Sequence, residues 1–92
     1  MTRIIIKKLI WDEYNIEHIK KHNVTIKEVE QISKGFIAHK KAKEGRYSIF
    51  GRSSARILTV IMSRRTTGIY YPITARDAAK KERKRVYEKE KK

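Results

Sequence analysis

The stretch Ile73-Thr74-Ala75-Arg76-Asp77-Ala78-Ala79-Lys80-Lys81-Glu82-Arg83-Lys84-Arg85-Val86-Tyr87 joins the end of a β-like run to a basic segment with helical spacing. Thr74 reads as a helix N-cap with Asp77 at N3, a pattern in which side-chain oxygens satisfy free backbone N–H groups. Arg76 then falls in the first helical turn, where the helix dipole disfavours a cation. Backbone donors and a guanidinium converging on one spot suit a phosphate; a solvated surface arginine is the alternative. Successive helical residues turn by about 100°, so Ala75, Ala78, Ala79 and Val86 share a stripe with Glu82 in its middle. A carboxylate on an apolar stripe needs a partner, and Glu82 is expected to pair with an arginine, either structurally or to orient it for catalysis. Arg76, Arg83 and Tyr87 line one flank, where cations can hold phosphate and the ring can stack on a base. Tyr87 covering the edge of the core is the competing reading.

Working back toward the N-terminus, the chain alternates element types. Residues Arg3 to Leu9 read as a first strand. Asp12 caps a helix from Glu13 to about His22, flanked by Trp11 and Ile16 as a hydrophobic staple, and Asn23 follows as its left-handed terminator. Thr25 and Glu28 form a capping box for a second helix with Ile26, Val29 and Ile32 on its apolar face, ended by Gly35. Strands follow at Phe36 to Lys40, Arg46 to Arg52, Arg56 to Met62 and Ile69 to Ile73, with a turn at Lys43-Glu44-Gly45. Along the second of these, Tyr47 and Ile49 share one side and Arg46, Ser48, Phe50 and Arg52 the other. Arg56 to Met62 is the most apolar run and is expected to be central. Pro72 cannot donate to a ladder, so its strand lies at an edge or ends there. The order predicts an α+β domain with helices packed on one face of a mostly antiparallel sheet.

With 92 residues the chain is expected to form one domain over 1–92, the tail 89–92 fraying. Twenty-four Lys and Arg against ten Asp and Glu give a formal net charge of +14, a field that attracts polyanions, nucleic acid first. No segment is long and apolar enough to span a bilayer, and the basic C-terminal helix lacks the Trp, Phe and Leu face of a membrane anchor. Absence of cysteine excludes disulfides and thiolate zinc sites and is compatible with the cytoplasm. Asn15, His18, Ile19 and His22 share a helical face. Two histidines four apart can grip a metal, but there is no HExxH motif and His39 is the one other histidine, so no metal is expected. His22 serves better as a proton-transfer group beside a phosphate, or as a dipole-stabilising C-terminal residue. Phosphate-binding loops, dinucleotide fingerprints, serine elbows and Mg²⁺-holding acidic clusters are also missing. A nuclease of this kind would use no cofactor. The RNA 2′-OH would be the nucleophile, and arginines would stabilise the phosphorane.

Three blocks resemble the BrnT family of small toxins from prokaryotic toxin–antitoxin pairs. The first is Trp11-Asp12-Glu13-Tyr14-Asn15 continuing through His18-Ile19, His22, Val24 and Glu28-Val29-Glu30. The second is Gly45-Arg46-Tyr47, Gly51-Arg52, Arg56 and Leu58. The third is Ile73-Thr74-Ala75-Arg76 with Lys81-Glu82-Arg83 and Tyr87. Asn23 stands where the family usually has glycine, and Pro72 where a β-branched or basic residue is usual. The resemblance implies a RelE-like β-α-α-β-β-β-α fold and a ribonuclease that stops translation, acting on RNA, ribosome-associated mRNA included. It also implies a cognate BrnA-like ribbon-helix-helix antitoxin, with operator DNA bound only through that antitoxin. On this reading His22 is the general base or acid, Arg52 and Arg76 grip the phosphate, Glu82 orients one of them and Tyr87 positions RNA. Arg46, Arg56, Arg83, Lys80 and His18 support RNA binding. A non-catalytic basic module that binds RNA or DNA is the competing function.

Overall fold

The computed structural model describes residues 4–91. In chain order the elements are β1 (Lys8–Leu9), α1 (Glu13–Lys20), α2 (Ile26–Lys34), β2 (Ala38–Lys41), β3 (Arg46–Ser53), β4 (Arg56–Thr66), β5 (Ile69–Asp77) and α3 (Lys80–Glu90). The strands form one sheet in the order β1-β5-β4-β3-β2. β2 to β5 make an antiparallel meander, and β1 joins β5 in parallel. The α+β class is as expected, and the meander holds four strands, one more than the order implied by the resemblance.

The two N-terminal helices start where the capping pattern predicts. Asp12 accepts the Asn15 N–H at 3.0 Å, and Asn15 Oδ1 accepts the Asp12 N–H at 2.9 Å. Asn15 also donates to the Ile10 carbonyl, so this buried amide is satisfied. The α1 helix is shorter than read, ending at Lys20, and Asn23 takes the left-handed φ of 58° expected of it. Asn15 and Ile19 point inward while His18 and His22 are exposed, their rings tilted by 40° with centroids 5.7 Å apart, so the shared face splits. Thr25 and Glu28 exchange reciprocal cap bonds at 3.1 and 3.0 Å.

Strand β1 is much shorter than the predicted Arg3 to Leu9. Lys8 and Leu9 pair with Ile69 and Tyr70, and Lys7 and Lys8 both donate to the Gly68 carbonyl, where the turn before β5 removes further partners. Ile4 is nonetheless buried in the core; Arg3 lies outside the described residues. Pro72 neither ends β5 nor breaks it. β1 covers β5 only at Ile69 and Tyr70, leaving the Pro72 side without a strand, and the β4 register slips between Ile61 and Met62 so that Ile73 is accommodated as a bulge.

Both faces of the sheet are covered, which corrects the expectation of helices on one face. On one face Ile19, Val24, Val29 and Ile32 from the α1–α2 region pack on Tyr47, Ile49, Leu58, Val60, Met62 and Ala75. On the other, Val86 of α3 and Ala78 pack on Phe50, Ile57 and Ala38. The alternation along β3 therefore holds, but its second side is a smaller core and not solvent. α3 also begins later than read. β5 runs on through Asp77, so Thr74 and Arg76 are strand residues, and Ala79 is the N-cap. The ladder to β4, Thr59 opposite Arg76 and Leu58 opposite Asp77, outcompetes a cap at Thr74. Lys89 and Glu90, read as frayed tail, belong to α3, and Glu90 forms an ion pair with Arg52 at 2.6 Å; Lys92 lies outside the described residues.

The close approach of α2 to β3 depends on Gly51, where an added Cβ would meet Ile32 Cγ2 at 3.1 Å and the Phe36 Cα at 3.5 Å. Gly51→Ala is expected to lower stability by about 1–3 kcal/mol through overpacking. Gly35→Ala, with open space around it, should be neutral. Urea unfolding of the two variants checks the difference.

Candidate nucleic-acid interface

The β3–β4–β5 registers set rows of side chains across the α3 face. One row holds Ala38, Phe50, Thr59 and Arg76, and the next holds Lys40, Ser48, Ile61 and Thr74. α3 lies over the first row and leaves Lys40, Ser48 and Ile61 of the second at least partly exposed. The resulting groove, about 710 Å³, is lined by Lys40, Ser48, Phe50, Ile61, Arg76, Lys80, Lys81, Glu82 and Arg85, with Ala42 and Ala79. Five of these carry positive charge and one is acidic.

That one acid is fully engaged. Glu82 Oε1 accepts from Arg76 Nη1 at 2.8 Å, from the Thr59 hydroxyl at 2.8 Å and from the Ala79 N–H at 2.7 Å, while Oε2 accepts from Arg76 Nη2 at 3.1 Å. Thr59 is fully buried, and the Glu82 and Arg76 side chains are 20% and 34% exposed. Burial pushes the Glu82 carboxyl up, but the Arg76 guanidinium, the Ala79 N–H and the Thr59 hydroxyl together bring it down to about 2. The same carboxylate raises the Arg76 guanidinium. Glu82 thus stays charged near neutrality and has no proton to give. It fixes the plane of Arg76, whose remaining donors and charge border the groove.

The candidate residues named from sequence fall into three places. Arg76, Glu82 and Lys80 meet at the groove. Arg52, Arg83 and Tyr87 lie on the other flank of α3: Arg52 is chelated by Glu90, Arg83 Nη1 donates to the Ala78 carbonyl at 2.6 Å, and Tyr87 is 46% exposed. The expected ridge of Arg76, Arg83 and Tyr87 is broken because Arg76 belongs to β5. Arg46 is exposed at the start of β3. His18, His22 and Arg56 sit on the α1–α2 side. Arg56 is held there by the Asn23 carbonyl at 2.9 Å, by Asp77 at 3.1 Å and by Glu28 at 3.4 Å. The described residues include no group of three or more His, Cys, Asp or Glu that could hold a metal ion, and no helix long and apolar enough to cross a membrane.

Sequence reasoning missed Thr59, Ser48, Lys40, Lys81 and Arg85 as groove residues. One signal was available. Thr59 is the lone hydroxyl inside Ile57-Leu58-Thr59-Val60-Ile61-Met62, and a buried hydroxyl needs a partner as Glu82 does. The two lone polar groups satisfy each other.

The pair makes a pH-dependent contribution to folding. The Glu82 carboxyl titrates lower in the folded chain than its ordinary 4.5, so its stabilisation is complete above about pH 4.5 and is lost as pH falls toward about 2. The expected loss is on the order of 2–3 kcal/mol. Glu82→Gln should flatten that part of the stability–pH curve measured by urea unfolding; an unchanged curve would show the pair to be too well solvated to matter.

The comparisons with known proteins agree with this architecture. Residues 11–82 match the family model described as ribonuclease toxin, BrnT, of type II toxin–antitoxin system. The 1.1 Å crystal structure of the Brucella abortus ribonuclease toxin BrnT superposes with a TM-score of 0.62 at 25% identity, over 79% of this chain and 97% of that one. No curated protein matches the chain. The family match takes in the cap of α1, the whole meander and the Arg76–Glu82 pair, and on that extent the chain belongs to the BrnT family of ribonuclease toxins of type II toxin–antitoxin systems.

Proposed function

We propose that this protein is a metal-independent endoribonuclease, a single toxin domain over 1–92 that works in the cytoplasm and inhibits translation by cutting RNA. The observation that carries the reading is Arg76, held bidentately by Glu82 on the rim of a groove with four further cations. Such a preorganised guanidinium costs no reorganisation when charge develops on a phosphate. In the proposed step the ribose 2′-oxygen attacks the adjacent phosphorus and the bond to the 5′-oxygen breaks. Solvent water takes the proton from the 2′-OH and returns one to the departing 5′-oxygen, Glu82 staying ionised throughout. The products are a 2′,3′-cyclic phosphate and a 5′-hydroxyl. Arg76 neutralises the phosphorane, Lys80, Lys81 and Arg85 hold flanking phosphates, and Thr59 and Glu82 are positioning residues. The proposal leaves His22, on the α1–α2 side of the sheet, outside the reaction.

Six acids, Asp12, Glu17, Glu28, Asp77, Glu82 and Glu90, are taken up in caps and ion pairs, which supports the reading of chemistry without a metal. A type II partner is a protein, and a BrnA-like ribbon-helix-helix antitoxin with an acidic segment would complement the groove's charge. Operator DNA would then be bound through that antitoxin.

Purified protein incubated with RNA in EDTA should release fragments with cyclic-phosphate ends, or do so when ribosomes are added. Arg76→Ala should reduce cleavage by about 10²-fold or more with its circular dichroism unchanged, and Arg76→Lys should recover only part, because an ammonium cannot hold the fork. His22→Ala should cleave as the parent does. Salt-dependent RNA binding without cleavage, in naked RNA and in a translation assay alike, would sink the catalytic reading.

A further inference from the structure

Tyr87 is 46% exposed, whereas its neighbour Val86 is fully buried. Positions 80, 83, 84 and 87 follow the i, i+3, i+4, i+7 spacing, so Lys80, Arg83, Lys84 and Tyr87 share one face of α3. With Lys81 they border a second groove, about 660 Å³, that has no acidic residue in its lining. Two features separate it from a merely solvated helix face. One of its cations is fixed: Arg83 Nη1 donates to the Ala78 carbonyl at 2.6 Å. It is also continuous with the Arg76 groove, because Lys80 and Lys81 line both and together bridge the first turn of α3.

From this continuity the geometry points to a second nucleotide subsite: a single RNA strand lying at Arg76 crosses the first turn of α3 over Lys80 and Lys81, and one of its bases stacks on Tyr87. Arg83 and Lys84 meet the phosphates on that side. The inference rests on the ribonuclease reading for its substrate. It specifies a single strand because bases in a duplex are already stacked on one another and cannot lie on an exposed ring. The absence of acid in the lining, with Lys80, Arg83 and Lys84 on the helix face that carries Tyr87, selects a polyanion. Stacking on Tyr87 tolerates any base, so the subsite adds affinity and strand direction without reading sequence.

Binding and cleavage are separated by a 2′-O-methyl octanucleotide, which lacks the hydroxyl nucleophile. At fixed salt, Tyr87→Ala should weaken its binding roughly ten-fold. Tyr87→Phe should bind as the parent does, since the ring is kept. Lys84→Ala should reduce the slope of log affinity against log salt by about 1. Tyr87→Ala that folds normally and binds the octanucleotide like the parent would overturn the subsite. So would a Tyr87→Ala defect confined to antitoxin binding, which would make this flank a protein interface. Parent protein that binds through Tyr87 but cuts no RNA would refute the ribonuclease reading and leave the subsite standing.

Discussion

Glu82 is the point at which sheet, helix and groove are joined. Its carboxylate takes four hydrogen bonds from three different sources: a strand arginine, a buried strand threonine and the first free N–H of α3. A glutamate at N3 ordinarily does one of these things, reaching back to its own N-cap. Here the cap bond fixes the helix start, the Thr59 bond fixes its depth over β4, and the Arg76 fork fixes its angle against β5. The driving force is avoidance of an uncompensated charge. A half-buried carboxylate with fewer donors would raise its pKa and neutralise, whereas with these donors it is held at about 2.

The same device recurs on the opposite side of the sheet. Glu28, at N3 of α2, accepts its cap bond from Thr25, a hydroxyl bond from Ser53 and an ion pair from Arg56. Burial pushes the Glu28 carboxyl up, and Ser53, Thr25 and Arg56 outweigh it and hold it down. Each N3 glutamate thus binds one strand hydroxyl and one strand arginine. The two arginines end differently because of what surrounds them. Arg56 has the Asp77 carboxylate and the Asn23 carbonyl as further acceptors and is consumed as structure, whereas Arg76 gives beyond Glu82 one longer bond, to the Asp77 carbonyl at 3.3 Å. Arg76 faces a row that α3 leaves uncovered, so its charge remains available to a ligand.

Local chemistry explains which parts could be read in the sequence. Asp12, Asn23 and the Thr25–Glu28 box announced themselves because a cap is decided within four residues. The central β4 was legible as the most apolar run. The start of α3 was not, because Thr74 and Asp77 imitate a cap. Their strand state is fixed by β4, whose pairing with β5 no local pattern encodes. Arg76 and Glu82 were both singled out, yet as neighbours on one helix; their true relation, strand to helix, needed the register. Covering of both faces was hidden for a related reason. Phe50 shares its side of β3 with Arg46, Ser48 and Arg52, and one aromatic among polar residues reads as a solvent face until Val86 and Ala78 arrive from elsewhere in the chain.

The division of labour between the two basic residue types follows from these constraints. Arg52, Arg56, Arg76 and Arg83 each have a specific acceptor, whereas Lys40, Lys80, Lys81 and Lys84 stand exposed around the two grooves. A guanidinium is rigid and forked, so it can be fixed by one carboxylate and still present charge; an ammonium is a mobile, strongly hydrated point charge. These four arginines therefore set positions, and the groove lysines together with Arg85 set the field. Many of the acids are occupied in caps and pairs, as Asp12, Glu17, Glu28, Glu82 and Glu90 are. Glu82 is the one acid that lines either groove, against seven cations, Lys40, Arg76, Lys80, Lys81, Arg83, Lys84 and Arg85. A strand drawn there by screened lysine charge would be aligned by arginines that were ordered before it arrived, so its affinity should follow salt while its geometry does not.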